Sequence, residues 1–511
     1  MMVAKKPSGQ SVSYEAKLRR FQELVRRIEY YQYTLKSLIY WDKITYMPPE
    51  GIDYRSKVMA FLADEQYKLL SGREFCSYVR YFDQHNKNND ITSAMLHRIQ
   101  RSSAYVNKIP EEEYQAYIEL IAVSEQVWDR AQLTADFGLF QPYLEKIVET
   151  FRRFAACWGY EKSPYDALLG YYEEELTCAG LDQSVEDLKD FLIFAVQKIQ
   201  TCGIRAVPPL PPVSAGSQRQ VWKMLLQGIG FDLNAGRIDL GSHTTILANS
   251  PSDVRIVNSY NERDFIAGLF NTLHSGGKGI YQQSIDKDLL GTFLAEAPSF
   301  TMEESIGRLY ENIIGRSRGF CRQFWPKILG LVPELKFFSG EDIFRRVNMI
   351  HPSPLRAEAD ELTYLLHIII RYELERDLIE GALEVEDLPR RWNEKYQAYL
   401  GVCPKNNGEG VLQDIHWAAG YMGYFPTYFV ANLMSAQIVS ALERTHGPLD
   451  ELVDRGNFAA ISRWLSEHIF RCGARYSTRE LLERATGESL EPNYYKDYLR
   501  KKFSGVYGVS L

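Results

Sequence analysis

Residues 264–284, DFIAGLFNTLHSGGKGIYQQS, are the part of the sequence that says most about the fold. The apolar residues that follow Asp264 recur at helical spacing and predict a helix. Gly276, Gly277 and Gly279 then fall within four positions, although a glycine inside a helix costs about 1 kcal/mol relative to alanine. The segment therefore predicts a helix that either crosses a neighbouring element closely or offers its backbone to a substrate.

Helical periodicity also dominates the rest of the chain. Apolar residues near the N-terminus recur at three- and four-residue steps and predict a long amphipathic helix that ends near Met47, where two prolines follow. Residues 236–260 combine alternation with turn residues and predict a short sheet. The Pro-rich residues 207–212 predict a stiff surface connector. The further helical stripes lie at 111–135, 142–159, 183–203, 261–284, 301–328, 357–380, 411–444 and 457–471. These patterns predict a mostly helical fold with a small β element near the middle.

The composition excludes several classes of protein. Of 511 residues, 45% are hydrophobic and 24% are charged, which is typical of globular proteins and excludes a disordered chain. The 59 Lys and Arg residues and 66 Asp and Glu residues give a net charge of −7. There is thus no global basic field to bind nucleic acid or an anionic membrane, and we expect neither as a partner.

Cysteine usage and hydropathy indicate the compartment. The seven cysteines are odd in number and include no C-x-x-C, so we expect neither a disulfide framework nor a cysteine-rich zinc site. The first twenty residues lack an apolar signal segment, and the apolar run 363–374 is too short and too interrupted to span a bilayer. These features predict a protein of the reducing cytoplasm.

The histidines do not form the usual zinc motif. There are nine, and no two lie closer than twelve residues, so the H-E-x-x-H pair on one helical face is absent. The phosphate-binding pattern G-x-x-x-x-G-K-[ST] also fails, because Thr272 stands where its first glycine is needed before Lys278. Neither a zinc peptidase nor a P-loop protein is therefore predicted from motifs alone.

Several sequence blocks nevertheless occur in an order that resembles one known family. Residues 41–49, WDKITYMPP, look like W-D-Q-E-T-Y-M-P-P, and residues 253–257, DVRIV, resemble D-x-R-x-T. Residues 355–360, LRAEAD, match [IL]-R-x-x-A-D, and residues 410–417, GVLQDIHW, match G-x-x-Q-D-x-H-W. The similar GYFPTY follows at residues 423–428. Together these blocks resemble the Taq-type zinc metallocarboxypeptidases over nearly the whole chain.

The resemblance implies the architecture. We expect a single domain, residues 1–511, with a large, helical, zincin-like metallopeptidase fold in two halves around a central cleft. The small β element would lie near the zinc helix. The resemblance also implies a homodimer.

The same resemblance exposes a departure at the family's zinc helix. The family reads H-E-x-G-H-A-L-Y, and this chain reads HSGGKGIY from residue 274. His274 keeps the position of the first zinc ligand. Ser275 replaces the general-base glutamate, and Lys278 replaces the second histidine ligand.

The third ligand position is retained in part. The family reads H-E-S-Q-S-R-L-W-E-N, and residues 303–312 read EESIGRLYEN. Glu304 falls on the ligand position, and Glu303 replaces the histidine beside it. The family's H-P-F block is degraded to a histidine followed by two threonines from His243.

These changes predict a homologue that has lost zinc-dependent peptide hydrolysis and takes no cofactor. A catalytic zinc needs about three protein ligands, and only His274 and Glu304 remain. A protonated Lys278 has no lone pair and carries positive charge where the cation would bind. Ser275 cannot replace the carboxylate base, which is worth roughly 10²–10⁴-fold. The main prediction is thus a pseudoenzyme with a peptide-binding or regulatory role.

One hypothesis explains how the site is held without metal. Lys278 would form an ion pair with Glu304, with Glu303 nearby. The ammonium of Lys278 would then replace the positive charge of the lost zinc ion. The opposing interpretation is a Lys278 side chain that points to solvent.

Two further functions stay open. The first is an active carboxypeptidase that releases C-terminal amino acids with zinc or another divalent metal in an altered site. The second, more remote, is a Ser–Lys hydrolase, because Ser275 and Lys278 have the S-x-x-K spacing that places both on one helical face. The S-D-N and K-T-G blocks that accompany this motif are absent.

The peptide-binding residues implied by the resemblance are present. Arg255 and Arg356 are candidate receptors for a peptide C-terminal carboxylate, since guanidinium groups pair with carboxylates bidentately. Gln413 is a candidate polar contact, and His416 or Tyr428 would support a carbonyl oxyanion in active relatives. The alternative for each is an intramolecular partner. Peptide C-termini are thus the predicted ligands.

Overall fold

Helices make up most of the computed structural model, which describes residues 13–85, 90–202, 207–241 and 244–511. The first ten helices are α1 Tyr14–Tyr33, α2 Asp42–Thr45, α3 Ile52–Leu70, α4 Arg73–His85, α5 Asp90–Asn107, α6 Glu111–Thr134, α7 Phe137–Trp158, α8 Pro164–Tyr172, α9 Cys178–Gln200 and α10 Ala215–Ile229. The next six are α11 Phe265–Ser284, α12 Phe300–Arg308, α13 Arg318–Leu331, α14 Gly340–Val347, α15 Tyr364–Glu380 and α16 Leu388–Leu400. The last five are α17 Phe425–His446, α18 Leu449–Asp454, α19 Phe458–His468, α20 Thr478–Thr486 and α21 Asn493–Tyr507.

The predicted short sheet is confirmed. Its strands are β1 Gly236–Leu240, β2 Thr245–Ser250 and β3 Asp253–Asn258. The central strand β3 pairs in parallel with β1 and antiparallel with β2. Helix α11 packs against β2 and β3, so the sheet lies beside the helix that carries His274.

The predicted N-terminal helix is also confirmed, with a change of winding inside it. Helix α1 continues through a π-helical stretch, Thr34–Trp41, into α2, which ends before the prolines. The apolar face of α1 packs on α4 and α5 in a small core separate from the main one. This small core consists of Phe21, Leu24, Val25, Ile28, Phe75, Phe82, Met95 and Leu96.

The helix predicted at 411–444 is wrong for residues 411–424. Residues 410–424 form a series of turns, and α17 begins only at Phe425. Gly420 and Gly423 have φ of 78° and 82°, a left-handed conformation that ends a helix and that glycine adopts readily. Pro426 then lies in the first turn of α17, where its missing N–H is harmless. We refer to residues 410–424 as the cleft loop.

Close packing explains the three glycines of α11. A Cβ added at Gly276 would lie 2.8 Å from Leu226 and Ile229 on α10, and one at Gly277 would lie 2.6 Å from the Tyr310 ring. A Cβ at Gly279 would similarly meet the ring of Phe231. The interpretation as a close crossing is therefore confirmed, because the glycines face neighbouring side chains.

We expect Gly277→Ala to lower the free energy of unfolding by about 1–3 kcal/mol, because the added Cβ would force the fully buried Tyr310 side chain to shift within the core. Gly505→Ala is the matched control. Gly505 is also helical but has no atom within 4 Å of an added Cβ, so this change should be neutral or stabilise by up to about 1 kcal/mol. Urea unfolding of both variants measures the difference. Equal effects would contradict the packing argument.

Within the described ranges, every helix is too short or too polar to cross a bilayer.

Candidate active site

The residual metal positions meet where α11 faces α12. His274 and Lys278 are one turn apart on α11, and Glu304 projects from α12. The His274 Nε2 atom lies 3.2 Å from Glu304 Oε2, and Lys278 Nζ lies 3.4 Å from the same oxygen. Gly307 allows this approach, because a Cβ there would lie 2.6 Å from the His274 ring. The structure thus brings together the three residues that align with the metal-ligand positions of the family.

Glu304 is a buried carboxylate, and both of its oxygens have cationic or hydrogen-bond-donor partners. Its side chain is 4% exposed, and its second oxygen lies 3.0 Å from Arg308 Nε. Burial alone would raise the pKa of Glu304, but His274, Lys278 and Arg308 hold it well below its usual range. Glu304 is therefore ionised, with each oxygen already paired.

Lys278 is buried and paired, as the ion-pair hypothesis predicts. Its Nζ atom lies 3.5 Å from Glu303 in addition to the contact with Glu304, and 4.9 Å from the centre of the Phe300 ring. Burial lowers the pKa of Lys278, but the two carboxylates outweigh it and raise the pKa above its ordinary value. The solvent-facing alternative is wrong, because the side chain is only 9% exposed.

His274 lies between two carboxylates. Its Nδ1 atom is 3.0 Å from Glu311, a residue that the sequence analysis did not single out. Burial lowers the pKa of His274, but Glu304 and Glu311 raise it above its ordinary value. Burial would raise the pKa of Glu311, which Arg308 and His274 lower to about 2. Both imidazole nitrogens thus face ionised carboxylates.

The residues present do not fit a catalytic zinc site. Such a site needs about three protein ligands and an open position, but Lys278 contributes an ammonium in place of the third ligand. In the ranges that the structure describes, no group of three His, Cys, Asp or Glu side chains is arranged to hold a metal ion. His243, the first residue of the degraded block, lies outside those ranges. A metal would have to displace the Lys278 ammonium from Glu304.

The positions of Ser275 and Lys278 do not support a Ser–Lys hydrolase. Ser275 is 3% exposed, and the Lys278 ammonium points to Glu303 and Glu304. Because those carboxylates raise its pKa, Lys278 stays protonated and cannot take a proton from a serine hydroxyl.

A second cluster of charges joins Arg356 to the cleft loop. Arg356 Nε and Nη2 lie 3.0 and 2.8 Å from one oxygen of Asp414, and Arg371 Nε lies 2.7 Å from the other. Burial raises the pKa of Asp414, but the two guanidinium groups lower it far below its usual range. Two cations share one anion here, so one positive charge is left over.

Gln413 has an intramolecular role. Its amide oxygen accepts the backbone N–H of Arg356 at 2.8 Å, and its amide nitrogen donates to the carbonyl of Pro354 at 3.0 Å. Gln413 thus ties the cleft loop to the segment that carries Arg356.

His416 and Tyr428 belong to an aromatic group that extends toward Glu304. The His416 ring lies 4.6 Å from Phe425 and 5.7 Å from Tyr424, and the Tyr424 ring lies 5.3 Å from that of Tyr428. Arg308 lies 5.8 Å from the Tyr428 ring, which connects this group to the Glu304 cluster. Burial, with nearby arginines, lowers the pKa of His416 to about 4, so the imidazole is neutral at pH 7.

Arg255 lies apart from these contacts on β3. Its guanidinium pairs with Asp253 at 2.8 and 2.9 Å and lies 4.6 Å from the centre of the Trp41 ring. Tyr33 donates to the same Asp253 at 2.6 Å. In this structure, Arg255 joins the N-terminal helical segment to the sheet.

Two residues of α15 that the sequence analysis missed also face the cleft loop. Arg371 and Glu375 are fully buried, one turn apart, inside a helix that is buried along most of its length. The sequence contained an indication of both residues, since they are charged and lie in a largely apolar segment. A charged residue that is buried in such a segment almost always has a partner. The Glu375 carboxyl accepts hydrogen bonds from Tyr165 and Trp417 at 2.5 Å and from the N–H of Gly423 at 3.0 Å.

Glu375 should make stability pH-dependent. Burial raises its pKa from 4.5 to about 7, although its hydrogen bonds oppose the shift. A carboxyl with a raised folded-state pKa stabilises most below its unfolded pKa, and that contribution is lost as pH rises through about 7. Between about pH 5 and pH 8, the wild type should lose up to about 3 kcal/mol of unfolding free energy relative to Glu375→Gln. The measurement is the free energy of unfolding of the wild type and of Glu375→Gln as a function of pH. Parallel curves for the two proteins would contradict the prediction.

Comparison with known proteins finds relatives that match nearly the whole chain. Residues 20–503 match the family model described as carboxypeptidase Taq (M32) metallopeptidase. Carboxypeptidase 1 of Bacillus subtilis is 36% identical over 495 residues, covering 96% of this chain and 98% of its own. Thermostable carboxypeptidase 1 of Thermus thermophilus is 35% identical over 508 residues, covering 97% and 99%. The crystal structure of the M32 carboxypeptidase from Deinococcus radiodurans R1 aligns with a TM-score of 0.93 at 29% identity, covering 96% and 100%. These matches confirm the resemblance seen in the sequence blocks.

Proposed function

Because the chain belongs to the carboxypeptidase Taq (M32) metallopeptidase family, we propose that it is a carboxypeptidase homologue that binds peptide C-termini without efficient zinc-dependent hydrolysis. The observation that carries this proposal is the Lys278 ammonium, which lies 3.4 Å from Glu304 and 3.5 Å from Glu303. A cation supplied by the chain thus satisfies the carboxylate that would ligate a metal. Ser275 beside it provides no carboxylate base.

The peptide-binding side of the proposal rests on the Arg356 cluster. Arg356 uses Nε and Nη2 to bind Asp414, and the two arginines exceed the single carboxylate by one positive charge. That charge suits a peptide C-terminal carboxylate, which guanidinium groups bind with directional hydrogen bonds. The neutral His416 nearby can donate to, or accept from, a peptide group.

The remaining parts of the proposal rest on the family resemblance and on composition. They are a single domain in two halves around the cleft, a homodimer, a cytoplasmic location, and no nucleic-acid or membrane partner. The net charge of −7 supports the last of these.

A second function, an active metal-dependent carboxypeptidase, is favoured by the comparisons. The relatives are named carboxypeptidases, and nothing in the comparisons indicates that this chain has lost activity. His274 and Glu304, at 3.2 Å, also retain two adjacent ligand positions. If this function holds, zinc or another divalent ion would displace Lys278.

Metal content and peptide turnover separate the two functions. The purified chain is dialysed against zinc, its metal is measured by mass spectrometry, and the release of C-terminal amino acids from peptides is followed, with B. subtilis carboxypeptidase 1 as the positive control. We expect metal far below one ion per chain, no release, and binding of a fluorescent peptide that prefers a C-terminal carboxylate to an amide. Stoichiometric metal with turnover would establish the second function instead.

A further inference from the structure

We infer that Arg371 and Glu375 are positioning residues that hold the cleft loop and thereby set the selectivity for a C-terminal carboxylate. Both lie on α15, one turn apart, and neither is exposed to solvent. Arg371 binds the loop before His416, and Glu375 binds it after His416. This inference rests on the proposed peptide-binding function.

The Arg371 side chain is held by several partners at once. Its Nε atom donates to Asp414 at 2.7 Å, and Nη1 donates to the His367 carbonyl at 2.7 Å and to the Tyr396 hydroxyl at 3.1 Å. The guanidinium also lies 4.7 Å from the centre of the Trp392 ring. A rigid guanidinium therefore fixes the Asp414 carboxylate, which in turn orients Arg356.

Glu375 fixes the other part of the loop. Trp417 follows His416 directly, and its indole N–H donates to Glu375 at 2.5 Å. The N–H of Gly423 donates to the same carboxyl at 3.0 Å, just before α17 begins. Tyr165 on α8 supplies the third donor. A single buried carboxyl thus joins two points of the loop to two helices.

The loop needs these anchors because it has no regular structure of its own. Residues 410–424 lack the repeating hydrogen bonds of a helix or strand. The buried Nδ1 atom of His416 has no hydrogen-bond partner among the described residues, and it lies 4.0 Å from Asp414. The position of the His416 ring is therefore set by its packing against Phe425 and by the backbone held at Asp414 and Trp417.

The test uses variants that keep size while removing one anchor. Glu375→Gln removes the carboxylate, and Arg371→Lys removes the fork that binds Asp414. Trp417→Phe removes the donor to Glu375 from the loop side, and so tests the same contact without changing α15. Glu373→Gln is the matched control, because Glu373 is also buried on α15 but pairs with Lys189 and Lys395 away from the loop.

Two readouts are measured on the full chain. Fluorescence anisotropy gives the affinity ratio between an N-terminally labelled peptide with a free C-terminal carboxylate and its C-terminal amide. Hydrogen exchange reports protection of residues 410–424. We expect Arg371→Lys, Glu375→Gln and Trp417→Phe to lower the ratio roughly tenfold, the equivalent of one hydrogen bond to a charged group, and to increase exchange in the loop. The control should change neither.

These results distinguish a failure of this inference from a failure of the proposed function. Unchanged ratio and exchange in the variants would overturn the inference, as would an equal change in Glu373→Gln. If either α15 variant fails to fold, Trp417→Phe decides. If the wild type shows no preference for the carboxylate, the proposed function fails, and loop exchange alone then decides whether Arg371 and Glu375 hold the loop.

Discussion

Replacing Ser275 by glutamate and Lys278 by histidine together should give a chain that binds zinc and releases C-terminal amino acids. Lys278→His removes the ammonium from Glu304 and supplies an imidazole one turn after His274 on α11. His274, Glu304 and the new imidazole would then provide the three ligands that a catalytic zinc requires. Ser275→Glu restores a carboxylate base beside the first ligand.

The single variants divide the effect into two steps. Lys278→His alone should raise the zinc content toward one ion per chain, with little hydrolysis. The added Ser275→Glu should then increase turnover by roughly 10²–10⁴-fold, the usual worth of a positioned base. Ser275→Glu alone should bind no zinc, because the Lys278 ammonium remains at Glu304.

Metal content and C-terminal release, measured on the wild type and all three variants, test this prediction. The wild type is the control for a contaminating peptidase. A double variant that binds zinc but does not hydrolyse would show that more than these two positions has changed. A wild type that matches the double variant would contradict the proposed function.

The sequence, compared with the family pattern it resembles, predicted the contact of Lys278 with Glu304 on α12 but not the contact of His274 with Glu311. The loss of a histidine ligand and the gain of a lysine at residue 278 indicated an ion pair with Glu304, and the structure forms it at 3.4 Å. Such a prediction is accessible because charge must be balanced in a buried site. The short sheet near residues 236–260 followed from alternation, which depends on neighbouring residues only.

The contacts around α15 could not be predicted in the same way. Arg371 pairs with Asp414, 43 residues away, and Glu375 pairs with Trp417, 42 residues away. Their partners lie in a loop that apolar periodicity marked as helix. Periodicity does not register that Gly420 and Gly423 adopt positive φ, and that conformation separates the loop from α17. Side-chain partners across such distances depend on the tertiary fold.

Removing the Lys278 charge should cause the largest loss of stability. Lys278→Met leaves Glu303 and Glu304 without the cation that both contact. Breaking a buried ion pair costs about 3–5 kcal/mol when the remaining charge is left unpaired, and because Arg308 and His274 still contact Glu304 we expect a loss near the lower end of that range. Lys405→Met is the matched control, since Lys405 is 83% exposed and lies 3.8 Å from Glu409, and it should change stability by less than about 0.5 kcal/mol.

Added zinc should show whether Lys278 takes the place of a metal ion or only forms an ordinary salt bridge. In Lys278→Met the Glu303 and Glu304 carboxylates lose the ammonium that both contact, while His274 stays 3.2 Å from Glu304, so a divalent cation can take the place of the ammonium and stabilise the folded state. Added zinc should therefore raise the melting temperature of Lys278→Met while leaving that of the wild type unchanged. The further change Glu304→Gln should recover part of the lost stability and abolish the zinc effect. If zinc stabilises the wild type as much as Lys278→Met, Lys278 does not take the place of the metal.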